Sequence, residues 1–168
     1  MSYTVDRKYH YIVCGIICLI ILYTYYMKKR IIVFDGFWDR NTVRTNPRAL
    51  FVFGDNDLGI GQGGQAVIRG LPNAIGLSTK KIPDSTPASF YTDKEYDENC
   101  IKIQSGLCKV MKEFLKDKYL ELVIPRNGLG TGLSDLPKKA PKTYRYLKKS
   151  LESMMEFIQQ GSSKHMKH

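Results

Sequence analysis

The sequence predicts one α/β domain, and three observations lead to this prediction. Apolar runs end at glycine-rich loops, helical periodicities lie between these runs, and the length of 168 residues suits a single domain of ordinary size. Strands that alternate with helices are typical of a layered α/β sandwich with parallel strand pairs. A composition of 43% hydrophobic and 25% charged residues excludes a wholly disordered chain.

Four apolar runs are predicted as strands: 31–34, 49–53, 74–77 and 119–124. The run 49–53 is uninterrupted and ends at Gly54, which is typical of a buried strand. Apolar residues recur every three or four positions over 94–116 and from about 136 to 160, so both segments are predicted as helices. A short helix is expected at 65–69.

Residues 10–27 carry no formal charge, have tyrosines at both ends and are followed by Lys28, Lys29 and Arg30. A helix of this length reaches roughly 27 Å, enough for a thin bilayer, and tyrosines favour the membrane interface. We therefore expect a short tail over 1–9, a transmembrane helix over 10–27, a domain over 28–160 and a flexible tail over 161–168. A cleaved signal peptide and a buried core helix are the alternatives, but neither a small-residue cleavage site nor a polar stripe is present.

The net charge of +10 is concentrated at the two ends of the chain. Residues 1–30 carry +4, residues 31–135 carry zero and residues 136–168 carry +6. The bases after the apolar segment favour a cytosolic C-terminal domain. Four cysteines without a CxxC pair agree with a reducing compartment. The predicted location is thus that of a single-pass membrane protein whose C-terminal domain is cytosolic.

Two glycine-rich loops, 54–64 and 125–133, each lie between a predicted strand and a helix. Open α/β sheets bind ligands at the carboxyl ends of their strands. Glycine lets backbone N–H groups approach an anion closely, and a helix N-terminus adds partial positive charge. One such loop could be a simple turn, but two on neighbouring strands predict a site for a phosphate-bearing ligand.

The other candidate chemistries find little support in the sequence. The 59–64 loop matches the GxGxxG pattern formally, but no acid ends the next predicted strand, as a dinucleotide-binding fold requires. The three histidines lie outside the predicted core, which argues against a catalytic triad or a histidine metal site. We therefore predict no metal and no cofactor. Acid–base chemistry would fall to Asp35, Asp55, Asp57 or Asp135, of which Asp55 is the strongest candidate.

The runs 49–56, 61–74 and 128–137 together resemble an uncharacterised domain family of phages, bacteria and large DNA viruses, over roughly residues 31–152. That family is remotely similar to macrodomains, which bind ADP-ribose and in some cases hydrolyse its conjugates. The resemblance implies a single macrodomain-like three-layer sandwich with a mixed sheet. It also implies binding of ADP-ribose or a related nucleotide, with Asn56 near the distal ribose and residues 130–133 around the diphosphate. Together with the membrane segment, which lies outside the resemblance, this predicts a membrane-anchored module.

Several positions depart from the macrodomain pattern. Phe53-Gly54-Asp55 precedes Asn56 in place of Asn-Ala-Ala, Leu133 replaces a stacking aromatic, and Asp35 is a loose substitute for an adenine-reading segment. Hydrolase activity is therefore left open. The predicted catalytic residues are Asn56 and Asp55. The predicted ligand contacts are Asp35, Gly54, Asn56, Gly61, Gly63, Gly64, Gln65, Arg69, Gly128, Gly130, Thr131, Gly132 and Leu133.

The alternative hypothesis is a non-enzymatic, membrane-tethered interaction protein that acts through its basic last helix. The bases of that helix are Lys138, Lys139, Lys142, Arg145, Lys148 and Lys149. Near an anionic leaflet each could add about 1 kcal/mol of attraction. Nucleic-acid binding is disfavoured, because Tyr144 falls on the apolar stripe and is not free to stack on bases. The predicted partners are thus a membrane and a small nucleotide-like ligand, and the oligomeric state is left open.

Overall fold

The computed structural model describes residues 16–17 and 29–164, with side chains described up to residue 160. The strands are β1 (Arg30–Phe34), β2 (Ala49–Asp55), β3 (Ala74–Ser78) and β4 (Glu121–Pro125). The α-helices are α1 (Arg40–Arg44), α2 (Tyr96–Phe114), α3 (Leu136–Lys139) and α4 (Pro141–Lys164). Short 3₁₀ helices occupy Gly64–Ile68, Pro87–Ser89 and Asp93–Glu95.

The four strands form one sheet in the order β1-β4-β2-β3, and every pair in it is parallel. Val123 of β4 lies opposite Ile32 on one side and Phe51 on the other. The α/β class is confirmed, but the predicted mixed sheet is wrong. After β1, β2 and β3, a connection carries the chain from the carboxyl end of the sheet back to its amino end, where the next strand begins. The strands therefore run parallel, and no hairpin joins these four strands.

The two faces of the sheet are covered by different elements. The long helices α2 and α4 pack on one face, around buried residues such as Leu122 and Phe114. Helix α1 and the 3₁₀ helix Gly64–Ile68 cover the other face, around Phe51 and Val123. The carboxyl edge of the sheet, where the strands end, is therefore reached by loops from both layers.

The expected transmembrane helix over 10–27 is not supported. Within residues 16–17 and 29–164, no helix combines the length and the apolar character needed to cross a membrane. The assignment of a single-pass membrane protein with a cytosolic domain is therefore wrong on this finding. Apart from Ile16 and Ile17, which are helical and exposed, the predicted span lies outside the described residues.

Two of the bases that we interpreted as the flank of a membrane helix belong to the folded domain. The Lys29 ammonium donates hydrogen bonds to the carbonyl oxygens of Phe114, Lys116 and Tyr119, at 2.9, 2.9 and 2.7 Å. Partial burial lowers the pKa of Lys29. Arg30 begins β1 and pairs with Glu121 on β4. These two charges thus fasten the amino edge of the sheet to the end of α2 and to its neighbouring strand.

Candidate functional site

The two glycine-rich loops meet at the carboxyl edge of the sheet, between the neighbouring strands β2 and β4. The chain leaves β2 towards the 3₁₀ helix Gly64–Ile68 on one face, whereas it leaves β4 towards α3 and α4 on the other. Adjacent parallel strands whose connections depart to opposite faces open a crevice, which is where such sheets bind ligands. The strands approach closely here, because a Cβ atom on Gly54 would lie 3.4 Å from the Gly130 nitrogen.

Gln65 links the two loops. The Gly54 N–H donates to Gln65 Oε1 at 3.0 Å, and Gln65 Nε2 donates to the Gly128 carbonyl at 3.4 Å. The loops also touch directly, since a Cβ atom on Gly63 would lie 3.0 Å from Leu133 Cδ1. The structure therefore brings the predicted residues of both loops into one place.

The loop after β4 exposes a run of backbone donors. Gly128 and Gly130 both have a φ of 79°, a left-handed conformation that favours glycine. Within the described part of the chain, the backbone N–H groups of residues 129–134 donate no hydrogen bond. Leu129 and Gly130 are buried, where an unpaired N–H is costly. This segment is thus rich in donors that an anionic ligand could accept.

Asp55 is held by Arg69. Arg69 Nη1 donates to Asp55 Oδ2 at 2.6 Å, Nη2 pairs with Oδ1, and Nε donates to the Gly61 carbonyl at 2.6 Å. Gly76 on β3 leaves the space for this carboxylate, because a Cβ atom there would lie 2.1 Å from Asp55 Oδ2. Arg69 engages both carboxylate oxygens, so the pair anchors the loop after β2. The predicted catalytic role of Asp55 stays a prediction.

Asn56 closes the loop on itself. Its Nδ2 donates to the Ile60 carbonyl at 2.8 Å, and the Ile60 N–H donates to its Oδ1 at 3.5 Å. The side chain is half-buried, and its two hydrogen bonds to the Ile60 backbone fix the conformation of the loop at the start of the glycine segment 59–64. The predicted role of Asn56 at a distal ribose stays a prediction.

A small cavity of about 40 Å³ lies beside the crevice, at the end of β1. Its lining residues are Phe34, Gly36, Phe37, Trp38, Gly64, Gln65, Pro125, Arg126 and Asn127. Phe37 is 94% exposed, and Trp38 Nε1 donates to the Gln65 carbonyl at 3.2 Å. Asp35 pairs with Arg126 at 2.9 Å on the rim, where both side chains are largely exposed.

Sequence reasoning missed a polar network centred on Asp57. Ser78 and Tyr91 both donate hydroxyl hydrogen bonds to Asp57 Oδ1, and Lys102 Nζ lies 2.9 Å from Oδ2. Burial and the Asp57 carboxylate raise the pKa of Tyr91 well above its usual value. Asp57 was a candidate in the sequence, but no spacing connects it with Tyr91 or Lys102, which only the tertiary fold brings close.

Two further residues of the crevice follow β3. Thr79 Oγ1 and Ser134 Oγ are 2.7 Å apart, and Lys80 Nζ donates to the Leu133 carbonyl at 3.1 Å. These contacts fix the loop after β4 from the side of β3. Among the described residues, no group of three or more His, Cys, Asp or Glu side chains could hold a metal ion.

Fold and site together define a parallel α/β domain whose carboxyl edge carries two joined glycine-rich loops. The chain belongs to a family of unknown function, DUF7831, whose model matches residues 33–150. The match includes β2, β3, β4, the end of β1 and both loops, in agreement with the prediction of an uncharacterised domain. Neither a curated protein nor a solved structure shows significant similarity to the chain.

Proposed function

We propose that this domain binds ADP-ribose or a related nucleotide in the crevice between β2 and β4. One observation carries the proposal: Gln65 joins the two glycine-rich loops beside the unpaired backbone N–H groups of residues 129–134. Backbone donors of this kind suit phosphate oxygens. The remote resemblance of the glycine motifs to macrodomains supports the choice of an ADP-ribose-like ligand.

The charges around the crevice also suit an anion. Asp55, at the start of the first glycine loop, is paired with Arg69 and repels an approaching phosphate less than a free carboxylate would. The exposed ring of Phe37, beside the small cavity at the end of β1, offers a surface on which a base could stack. The two regions adjoin at Gly64 and Gln65, which line the cavity and lie where the loop after β2 enters the 3₁₀ helix.

Our proposal is limited to binding. Hydrolysis of a conjugate requires a group that activates water. The two predicted catalytic side chains are engaged elsewhere, Asp55 by Arg69 and Asn56 by Ile60.

Isothermal titration calorimetry of the full chain with ADP-ribose, ADP and NAD tests this proposal. No heavy atom lies within 4 Å of a Cβ built on Gly132, so the side chain of Gly132→Leu would start in open space beside the unpaired N–H groups. We expect micromolar binding by the wild type and a loss of at least about tenfold in Gly132→Leu. Ser105→Leu, which adds a comparable side chain on the exposed face of α2, is the matched control. No heat with any of the three ligands, or equal binding by Gly132→Leu, would disprove the proposal.

A second candidate function is favoured by a groove of about 990 Å³ between α2 and α4. Lys142, Arg145 and Lys149 line its α4 side, and no acidic residue is among its lining residues. We propose for it an acidic segment of a partner protein, which these charges would attract. Fluorescence polarisation of a labelled polyglutamate peptide should show binding that weakens with salt and is lost in the Arg145→Glu, Lys149→Glu double variant. Binding unchanged in that variant would reject this candidate.

A further inference from the structure

Lys80 brings a buried positive charge to the crevice. The residue is only 7% exposed, and its ammonium lies 4.1 Å from the centroid of the Phe90 ring. In the described part of the chain, the ammonium donates one hydrogen bond, to the Leu133 carbonyl at 3.1 Å. Within the described residues no carboxylate pairs with it. Burial of an ammonium is costly unless an anion or several acceptors compensate it.

Several other cations near this edge of the sheet are already paired. Arg69 is bound by Asp55, Arg126 by Asp35 and Lys102 by Asp57. Lys139 also approaches the Phe90 ring, at 4.9 Å from its centroid, but it is exposed to solvent. Lys80 is thus a buried cation whose charge no carboxylate of the described residues neutralises, whereas Arg69 and Arg126 are neutralised by Asp55 and Asp35.

Lys80 also orients the peptide group between Leu133 and Ser134, which belongs to the segment with unpaired N–H groups. In a trans peptide the C=O and N–H bonds point in opposite directions. Because the Leu133 carbonyl points at the Lys80 ammonium, the Ser134 N–H points away from it. An ammonium bound to the carbonyl polarises the peptide and makes this N–H a stronger donor. A hydrogen bond between the hydroxyl groups of Thr79 and Ser134 also fixes this loop.

We infer that Lys80 is a positioning residue of the phosphate site and makes it selective for ligand groups with two or more negative charges, such as a diphosphate. This inference rests on the proposed nucleotide binding. The ammonium acts through the 133–134 peptide and through its charge, so its contribution grows with the charge of the ligand. A neutral nucleoside would gain little from it.

A ligand series tests the inference, with titrations of the full chain by adenosine, AMP and ADP. We expect the affinity of the wild type to rise with each phosphate group, and Lys80→Met to weaken ADP binding about tenfold while changing adenosine binding much less. Lys80→Arg keeps the charge and should stay close to the wild type. Thermal melts of all variants show whether the fold is retained, since a purely structural defect would weaken the three ligands alike.

The outcomes separate this inference from the proposal on which it rests. If the wild type binds none of the three ligands and no ADP-ribose, the nucleotide-binding proposal itself is wrong. If the wild type binds ADP and Lys80→Met binds it equally well, the role of Lys80 is wrong. Should Lys80→Met fail to fold, the wild-type series still decides, because equal affinity for adenosine, AMP and ADP overturns the predicted charge selectivity.

Discussion

The two faces of the sheet are built by different means. Among the described residues, the face under α2 and α4 buries a cluster of 18 hydrophobic side chains, whereas the face under α1 and the 3₁₀ helix Gly64–Ile68 buries 9. The first face is thus held mainly by apolar packing of long helices. The second has less apolar area to bury and needs other means to fix its short elements.

Hydrogen bonds from side chains to the backbone supply that second kind of support. Asn73 Nδ2 donates to the carbonyls of Val43 and Ala49, at 2.9 and 3.0 Å. Arg40 Nη1 donates to the carbonyls of Val67 and Arg69, both at 3.0 Å. These bonds fix α1 against the start of β2 and against the 3₁₀ helix that follows the glycine-rich loop. The helical face therefore contributes mostly stability, and the loop face contributes mostly the geometry of the crevice.

The largest expected effect compares one isoleucine from each face. Ile103 on α2 and Ile68 in the 3₁₀ helix are both fully buried. We expect Ile103→Ala to cost about 4 kcal/mol and Ile68→Ala about 2 kcal/mol, because short elements relax into a cavity more readily than packed helices do. Urea denaturation of both variants measures the two values. Equal costs would show that the loop face is packed as rigidly as the helical face.

Methyl groups added at two glycines sharpen the comparison. A Cβ on Gly76 would meet the Asp55 carboxylate at 2.1 Å, and one on Gly106 would meet Leu77 Cδ1 at 2.4 Å. Gly76→Ala displaces a paired charge, so we expect a loss of about 3 kcal/mol. In Gly106→Ala the cost of overpacking is offset in part by about 1 kcal/mol of helix propensity, leaving a loss of about 1 kcal/mol. Thermal melts of the two variants show which one loses more stability. A larger loss in Gly106→Ala would contradict the close approach of the Asp55 carboxylate to Gly76.

Loss of the ion pair between Arg69 and Asp55 should cost less stability than the clash in Gly76→Ala. Side-chain exposures of 17% for Arg69 and 12% for Asp55 leave the pair partly accessible to solvent. We expect Arg69→Met to cost about 2 kcal/mol and to make the loop after β2 more sensitive to proteolysis. The double variant Asp55→Asn, Arg69→Met is the control, since it leaves no unpaired charge and should lose less than the two single losses combined. Full additivity would mean that the two residues do not interact.

Most of the fold follows from the sequence because its signals are local. The predicted strands 49–53 and 74–77 correspond to Ala49–Asp55 and Ala74–Ser78, and the predicted helix 94–116 corresponds to Tyr96–Phe114. The predicted last helix is divided into α3 and α4 at Ala140. The following Pro141 disfavours helical geometry in the residue that precedes it. Helix α1 was missed within a polar segment, although the Asp39 cap that accepts from the Thr42 N–H at 2.6 Å was readable.

The site was less predictable than the fold. Glycine motifs located the two loops, because each follows an apolar strand and precedes a helix. The bridge made by Gln65, the network around Asp57 and the burial of Lys80 depend on contacts between residues far apart in the chain. The membrane segment was predicted from an uncharged run, its flanking tyrosines and the bases that follow, and none of these signals showed that Lys29 and Arg30 are contacts of the folded domain.

The smallest expected effect lies on the helical face, at the start of α4. Asp93 accepts hydrogen bonds from the backbone N–H groups of Lys142 and Thr143, at 2.9 and 3.0 Å, and from the Thr143 hydroxyl at 3.1 Å. Burial alone would raise the pKa of Asp93, but these bonds outweigh it and hold the pKa below its usual value. The ionised form is therefore the one that stabilises the fold.

Because the pKa of Asp93 is lower in the folded chain, its contribution is present above the unfolded pKa of about 4 and is lost as the pH falls through the folded pKa. We expect Asp93→Asn to cost about 1 kcal/mol at pH 7 and progressively less as the pH falls below about 4, because the wild-type carboxyl then becomes protonated as well. Urea denaturation of both proteins across this range measures the difference, in which the titration of all other carboxyl groups cancels. A constant difference at every pH would show that the charge of Asp93 is irrelevant and that its hydrogen bonds alone cap α4.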